Sequence, residues 1–295
     1  MSLLPKISVI TPSYNQGQFL EQTILSVLGQ NYPNLEYIII DGGSNDGSVE
    51  IIKKYSDRLS FWISEKDHGQ AHAINKGFAK ATGDILCWLN SDDMYMPNVL
   101  SYVASCLNIA KKQILSGNCI HFNETAEGVV TQGYDVQRYA TEIDLINNDF
   151  IIQPSSFWTR KTWESVGILN EQFHFVFDWE WFLRAQQSAV KIIFENKPFS
   201  IYREHDAHKT AVGGDKRKKE IIDLYTAFEA SDNVFLFEHL SKDKDLLKRV
   251  PVKVLKYICA FFRIRSSDSD LLLLLKSKKY SHFDRKKFEN IFYLA

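Results

Sequence analysis

The apolar run Ile85-Leu86-Cys87-Trp88-Leu89 stops abruptly at Asn90-Ser91-Asp92-Asp93. Five apolar residues are the mark of a buried strand, and two adjacent carboxylates at its end belong on the rim of a sheet. With no Lys or Arg beside them, such carboxylates suit a hard divalent cation, which commonly bridges to phosphate oxygens. The plainer alternative is an acidic turn that caps the next helix, because Asp favours turns and Pro97 follows. A second carboxylate, Asp178, lies in the aromatic block His174-Phe175-Val176-Phe177-Asp178-Trp179-Glu180-Trp181-Phe182-Leu183-Arg184. Partial desolvation among rings raises a carboxyl pKa toward the range useful to a general base. Asp178 could equally cap a helix running from Trp179 to Gln187, while Glu180 pairs with Arg184 one turn on.

These groups need elements to hold them. Ile7-Ser8-Val9-Ile10 is a short β-branched strand stopped by Thr11-Pro12-Ser13-Tyr14-Asn15-Gln16-Gly17. Phe19, Leu20, Ile24, Val27 and Leu28 then recur at helical spacing. Glu36-Tyr37-Ile38-Ile39-Ile40 is apolar enough for a strand covered on both faces, and it ends in Asp41-Gly42-Gly43-Ser44-Asn45-Asp46-Gly47-Ser48. Strand, helix and strand with short connections make a right-handed parallel crossover. In open α/β sheets ligands bind beyond the carboxyl ends of the strands, which is where Asp41 stands. No G-x-G-x-x-G and no G-x-x-x-x-G-K-S/T occurs, which argues against a dinucleotide enzyme or a P-loop NTPase.

Four ordered segments are Ile7 to Gly17, Asp41 to Ser48, Asp67-His68-Gly69-Gln70 with Asn75-Lys76-Gly77, and Asn90 to Asp93. In order and spacing they resemble family 2 glycosyltransferases of the GT-A fold, over residues 5–210. The resemblance implies an α/β fold, a Rossmann-like mixed sheet flanked by helices. It implies that Asp41 binds the nucleotide base, that Asp67 faces it, and that Thr11, Pro12, Tyr14 and Asn15 line the nucleoside pocket. Gln70, Asn75, Lys76, Asn90 and Ser91 would complete the donor site. The acidic turn corresponds to the family's DXD element, with Asn90 at its first position in place of Asp. Asp92 then becomes the principal metal ligand, and Asp93 a helper or a helix cap. The implied cofactor is Mn²⁺ or Mg²⁺, which needs few protein ligands. Arg203 and His205, in Tyr202-Arg203-Glu204-His205, would face metal or diphosphate, with His208 able to share that task. Asp178 matches the family's base, which implies single-displacement transfer with inversion. Gln153, Trp179 and Glu180 are the expected acceptor contacts, with Glu180 equally explained by its pairing with Arg184.

Composition adds a division of the chain. Residues 216–295 carry 18 Lys and Arg against 11 Asp and Glu, leaving 17 against 25 for residues 1–215. Residues 1–215 are expected to form the catalytic domain, with a nucleotide-sugar half to about residue 95 and an acceptor half from about 96. Residues 216–295 form a basic, mostly helical extension. Pro251 can open a helix with Lys253, Lys256 and Arg263 on one side and Leu255, Ile258 and Phe262 on the other. Leu271 to Leu275 followed by Lys276, Lys278 and Lys279 repeats the pattern. Such a surface can lie on an anionic membrane, or pack on the protein or on a second copy as a homodimer. Interleaved acids and the lack of a recognised motif argue against nucleic acid. Cys87, Cys106, Cys119 and Cys259 are scattered, without zinc spacing. Those cysteines, and Met1 to Pro5 running straight into the first strand, point to the cytoplasm. The expected activity is metal-dependent transfer of a sugar from a UDP-sugar to a hydroxyl of a glycan or lipid-linked acceptor. The alternatives are a glycan-binding scaffold with the same fold, and a sugar-phosphate nucleotidyltransferase. The latter expects a Gly-rich, Arg-containing loop where this chain has Thr11 to Asn15.

Overall fold

A computed structural model describes residues 4–125, 128–134, 144–205, 213–248, 274, 279–280 and 282–295. Two compact units emerge, Met1–Ile143 with Phe150–Gly213, and Asp144–Asp149 with Gly214–Ala295. The first unit contains β1 (Ile7–Ser13), α1 (Gly17–Leu28), β2 (Leu35–Asp41), α2 (Ser48–Lys54), β3 (Phe61–Ser64), α3 (Gln70–Lys80), β4 (Ile85–Trp88) and β5 (Met94–Tyr95). It continues with α4 (Val99–Cys106), β6 (Gln113–Thr125), β7 (Gly128–Tyr134), β8 (Ser156–Thr159), α5 (Arg160–Val166), α6 (Phe177–Gln187) and β9 (Lys191–Glu204).

The strands form one mixed sheet in the order β3-β2-β1-β4-β8-β6-β9-β5, with β7 paired to β6. β1, β2, β3 and β4 run parallel, whereas β8 is antiparallel to both β4 and β6. All of β1 and all of β4 are buried, as continuous apolar strands covered on both faces should be. One face of α1 supplies Leu20, Thr23, Ile24, Val27 and Leu28 to that cover. On α3, Gly77 lets the helix approach closely, since a methyl built there would lie 2.3 Å from Ile10 Cγ2. The parallel register sets Ser13 beside Asp41 and Asp41 beside Ser64 at one edge of the sheet. That edge is where the loops predicted to bind a ligand converge. This is the GT-A-type architecture expected from the sequence.

Two boundaries differ from expectation. α6 begins at Phe177 with Val176 at its cap, so Asp178 lies within the first helical turn and is not the capping residue. The acidic turn does not cap the next helix, because β5 intervenes and Asn98 holds the cap position of α4.

The second unit contains α7 (Gly214–Ala227), α8 (Ser231–Lys248) and α9 (Arg285–Leu294). Ile221, Leu224, Leu236, Phe237, Leu240, Phe288 and Ile291 form its apolar core. Asn233 Nδ2 donates to Ile146 O at 2.8 Å, tying residues 144–149 to these helices. The amphipathic segment expected from Pro251, and the Leu271 to Lys278 run apart from Leu274, lie outside the described residues. No helix among the described residues is long and apolar enough to cross a membrane.

One carboxylate organises two helix starts. Asp46 Oδ2 accepts from the Gly17 amide at 2.8 Å, and Oδ1 accepts from the Ser48 amide at 3.1 Å and the Ser48 hydroxyl at 2.6 Å. Burial would raise the Asp46 pKa, but the bonds from the Ser48 side chain and the Gly17 and Ser48 amides outweigh it and hold the group below its ordinary value. Replacement of Asp46 by Ala is expected to cost about 1–2 kcal/mol in urea unfolding at neutral pH. Because the folded pKa is depressed, the difference from the parent should be fully present above the ordinary carboxylate range. It should shrink as pH falls through the folded value, and a pH-independent difference would contradict this account.

Candidate functional site

The acidic turn after β4 is anchored from α1 and from β9. Thr23 Oγ1, on α1, lies 2.9 Å from Ser91 O and 2.7 Å from Asp93 O. On β9, the Arg203 amide donates to Asp93 Oδ1 at 3.3 Å and its Nε donates to Asp92 O at 3.3 Å. The same guanidinium donates to Gln22 Oε1 and lies 4.8 Å and 5.1 Å from the ring centres of Phe19 and Phe122. Asp93 is 1 % exposed. Burial first, and the adjacent Asp92 charge second, push its carboxyl well above the usual range. It is thus a buried keystone of the turn rather than a helix cap.

Asp92 is left to face outward. Its Oδ2 lies 3.1 Å from His205 Nε2, and both side chains are partly exposed. The His205 ring rests 4.8 Å from that of Phe19. One carboxylate oxygen and one imidazole nitrogen at a sheet rim fit a cation that completes its shell with phosphate and water. Among the described residues no group of three His, Cys, Asp or Glu side chains gathers into a fuller cage. His208 lies outside the described residues.

The loops beyond β1, β2 and β3 meet beside this turn. Asp41 is fully buried. Its Oδ2 accepts from the amides of Gly43 at 3.1 Å and Ser44 at 2.9 Å and from Ser64 Oγ at 2.6 Å, while Ser44 Oγ donates to Oδ1 at 2.6 Å. In this conformation the carboxylate shapes the loop. Asn15 sits at φ 51°, takes Ser44 Oγ on its amide at 2.8 Å and accepts the Asn45 amide at 3.0 Å. A methyl built on Gly42 would lie 2.7 Å from Asp67 Oδ2 and 3.3 Å from the Tyr14 ring. The absence of a side chain at Gly42 lets Asp67 and the 62 % exposed Tyr14 pack closely over its backbone. Thr11 is buried within β1, where its hydroxyl meets that of Tyr37 at 3.1 Å, and Pro12 is buried beside it.

The helix α3 continues the wall. Gln70 Nε2 donates to Asn90 Oδ1 at 2.8 Å, and Asn90 Nδ2 reaches Gln153 Oε1 at 3.5 Å. Gln153 in turn donates to Trp88 O at 2.8 Å. Lys76 is engaged by Glu65, and Asn75 is turned inward to Leu169 and Glu171. At the start of α6, Asp178 is half-buried and accepts from the Trp179 amide at 2.9 Å. Trp179 is 1 % exposed and belongs to the core. Glu180 forms a two-bond pair with Arg184, at 2.7 Å and 2.9 Å, which is the pairing read from the i, i+4 spacing.

Sequence reasoning missed Thr23, Gln22, Phe19, Ser64 and Arg203's inward role. Phe19 shows only as part of a helical stripe and Arg203 only in its motif with His205, while Thr23, Gln22 and Ser64 carry no local signal, because their partners lie on distant elements.

Residues 8–163 match glycosyl transferase family 2, and the chain belongs to that family. An uncharacterized glycosyltransferase of Rickettsia typhi is 24 % identical over 271 residues, covering 88 % of this chain and 80 % of that protein. The GalNAc(5)-diNAcBac-PP-undecaprenol beta-1,3-glucosyltransferase of Campylobacter jejuni is 25 % identical over 251 residues, covering 83 % of this chain and 79 % of that protein. In structure the chain resembles S. aureus TarS residues 1–349 in complex with UDP-GlcNAc, with TM-score 0.61 and 16 % identity over 97 % of this chain and 89 % of that one. It also resembles mannosyltransferase PcManGT of Pyrobaculum calidifontis in complex with GDP-Man and Mn²⁺, with TM-score 0.62 and 15 % identity over 98 % and 86 %. The chain is a glycosyltransferase of GT-A fold that takes its sugar from a nucleotide sugar.

The pair on α6 gives a direct test. Glu180→Ala leaves the Arg184 guanidinium without its carboxylate and is expected to cost about 2–3 kcal/mol in urea unfolding. Nucleotide-sugar affinity should stay within about twofold of the parent, a shift worth only ~0.4 kcal/mol. A variant of parental stability that loses acceptor affinity would instead place Glu180 against the acceptor.

Proposed function

We propose that this protein transfers a glycosyl group from a UDP-sugar to an acceptor hydroxyl, with inversion, on a lipid-linked glycan destined for a bacterial surface polymer. The observation that carries this reading is the outward-facing Asp92–His205 pair, held at the sheet edge where the loops of Asp41, Asp67 and Tyr14 converge. Tyr14 offers an exposed face on which a base can stack, and the Asp67 carboxylate across Gly42 can accept from a base N–H. Asp92 and His205 would hold Mn²⁺ or Mg²⁺, which when bound supplies positive charge against the diphosphate as the glycosidic bond breaks.

The remaining chemistry falls to the chain. Asp178 accepts the proton of the acceptor hydroxyl, the freed oxygen forms the new bond at the anomeric carbon, and the bond to the diphosphate oxygen breaks on the opposite side. Asp178 lies within the first turn of α6. Its half-buried setting keeps the proton transfer away from bulk water. Similarity to the C. jejuni glucosyltransferase, whose name specifies an undecaprenyl-linked substrate, supports a lipid-linked acceptor. The basic extension supports peripheral attachment to the cytoplasmic face of an anionic membrane.

The first experiment is binding and slow hydrolysis of UDP-, GDP- and dTDP-sugars, with Mn²⁺ and with EDTA. Metal-dependent selection of a UDP-sugar is expected; absence of binding to any donor by folded protein favours a non-catalytic glycan-binding role. Asp178→Asn should lower transfer at least ~100-fold, the typical contribution of a general base, with donor affinity nearly unchanged. Equal loss of donor affinity would give Asp178 a different task. In flotation assays the full chain should partition onto phosphatidylglycerol vesicles but not onto phosphatidylcholine, and salt should release it. Equal partitioning onto both would return the extension to packing or to a homodimer.

A further inference from the structure

The Asn75-Lys76-Gly77 motif is part of the family resemblance, yet Asn75 points away from the sheet edge. Its side chain is 9 % exposed. Asn75 Oδ1 accepts from the Leu169 amide at 3.0 Å, and Nδ2 donates back to Leu169 O at 3.0 Å and to Glu171 Oε1 at 2.8 Å. One amide side chain thus makes a two-way bridge to a single backbone residue, as a paired strand would.

Leu169 ends a run of four residues from Val166, at the exit of α5, whose carbonyls are engaged by side chains. Arg184, on α6, donates to Val166 O at 2.5 Å and to Ile168 O at 2.7 Å. Trp181, also on α6, donates through Nε1 to Gly167 O at 2.9 Å. Asn75, on α3, takes Leu169 O. The segment is therefore a strap fastened to α6 on one side and to α3 on the other. Apolar packing alone would not fix this spacing. Phe78 of α3 meets Trp163 of α5 at 4.3 Å and Trp158 at 5.8 Å, and Trp158 meets Trp181 at 4.8 Å. Rings in contact hold two helices at a distance but tolerate small slides along them, whereas paired hydrogen bonds set the register.

At its other end α3 is tied to the acidic turn through Gln70 and Asn90. A continuous route runs from Asn90 through Gln70, α3, Asn75, Leu169 and Arg184 to α6, whose first turn carries Asp178. We propose that Asn75 is a positioning residue for the reaction: its bridge to Leu169 fixes Asp178 relative to the donor held at the acidic turn. This rests on the reading of Asp178 as the base. Asn75 touches neither donor nor acceptor, and its effect is on the geometry of the proton transfer and the attack. A displacement of about 1 Å at such a site is enough to change rate by ~100-fold.

The test measures transfer kinetics, donor affinity and thermal unfolding for Asn75→Ala and for the near-isosteric Asn75→Asp in the full chain. Asn75→Asp keeps the acceptor for the Leu169 amide, loses the donations to Leu169 O and Glu171 Oε1, and sets a carboxylate oxygen against both. The expected result for Asn75→Ala is a fall in kcat of about 10- to 100-fold, with donor Kd within about twofold. Asn75→Asp, with a carboxylate oxygen facing Leu169 O and Glu171, should show a fall at least as large with the same split. In an Asp178→Asn background, Asn75→Ala should lower the residual transfer rate no further, because the effect acts through Asp178. Parental kcat in folded Asn75→Ala or Asn75→Asp, or an additive loss in the Asp178→Asn background, would overturn the proposal. A matching fall in donor affinity would also overturn it and make Asn75 a donor contact. Retention of transfer by Asp178→Asn alone would sink the assignment of the base and is separately visible. If Asn75→Ala does not fold, Asn75→Asp decides. If neither folds, Arg184→Lys loosens the same strap from α6, and parental kcat there overturns the proposal.

Discussion

The burial of one carboxyl group organises the centre of this molecule. Asp93 sits at the end of a strand that is covered on both faces, where an isolated charge would be costly, and its environment shifts it toward the protonated form. The surroundings supply what the turn needs: a backbone amide from Arg203, an amide side chain from Asn90 and the Thr23 hydroxyl against the turn's carbonyls. With Asp93 turned inward, the chain direction turns Asp92 outward toward His205. Two neighbouring residues of one type thus have opposite fates, one buried and one partly exposed. Arg203 joins them, because the residue that supplies the amide to Asp93 also holds the carbonyl of Asp92.

Much of the parallel part of the sheet was legible in the amino-acid pattern. The first crossover reads directly from Ile7 to Asp41, because strand runs, a helical stripe and a Gly-rich loop are all local signals. The strand before the acidic turn was equally plain, and so was the pairing of Glu180 with Arg184, whose spacing is its own evidence. What could not be read is direction. Thr11, Asp41 and Asn75 were expected around a nucleotide sugar, yet their polar atoms are engaged by Tyr37, by Ser44 and Ser64, and by Leu169. Whether a polar residue faces a ligand or a distant backbone depends on partners up to 94 residues away. The start of α6 was misplaced for a related reason: Val176 caps it without any side-chain hydrogen bond, so the usual polar signal is missing.

The long strand β9 shows the same limit at larger scale. Of its 14 residues only the short motif at the end stands out in the sequence, since polar and charged positions interrupt any simple alternation. In the fold it runs parallel to β6 and antiparallel to β5, and so delivers Arg203 and His205 to the acidic turn. That delivery is a product of topology, and no local pattern announces it.

The distribution of indole rings gives the protein an optical property. Trp88, Trp158, Trp163, Trp179 and Trp181 are all at most 9 % exposed, and Trp88, Trp158, Trp163 and Trp181 are linked through ring contacts. Indoles this close, away from water, exchange excitation and emit at the blue end of their range. The intrinsic fluorescence and near-ultraviolet dichroism therefore report chiefly on the seam between β4, β8, α5 and α6. The solvent-facing ring of Tyr14 is nearly silent in that signal. A spectral change on adding a donor would mark a rearrangement at the seam or at Trp62, the partly buried sixth indole on β3, seen without a label.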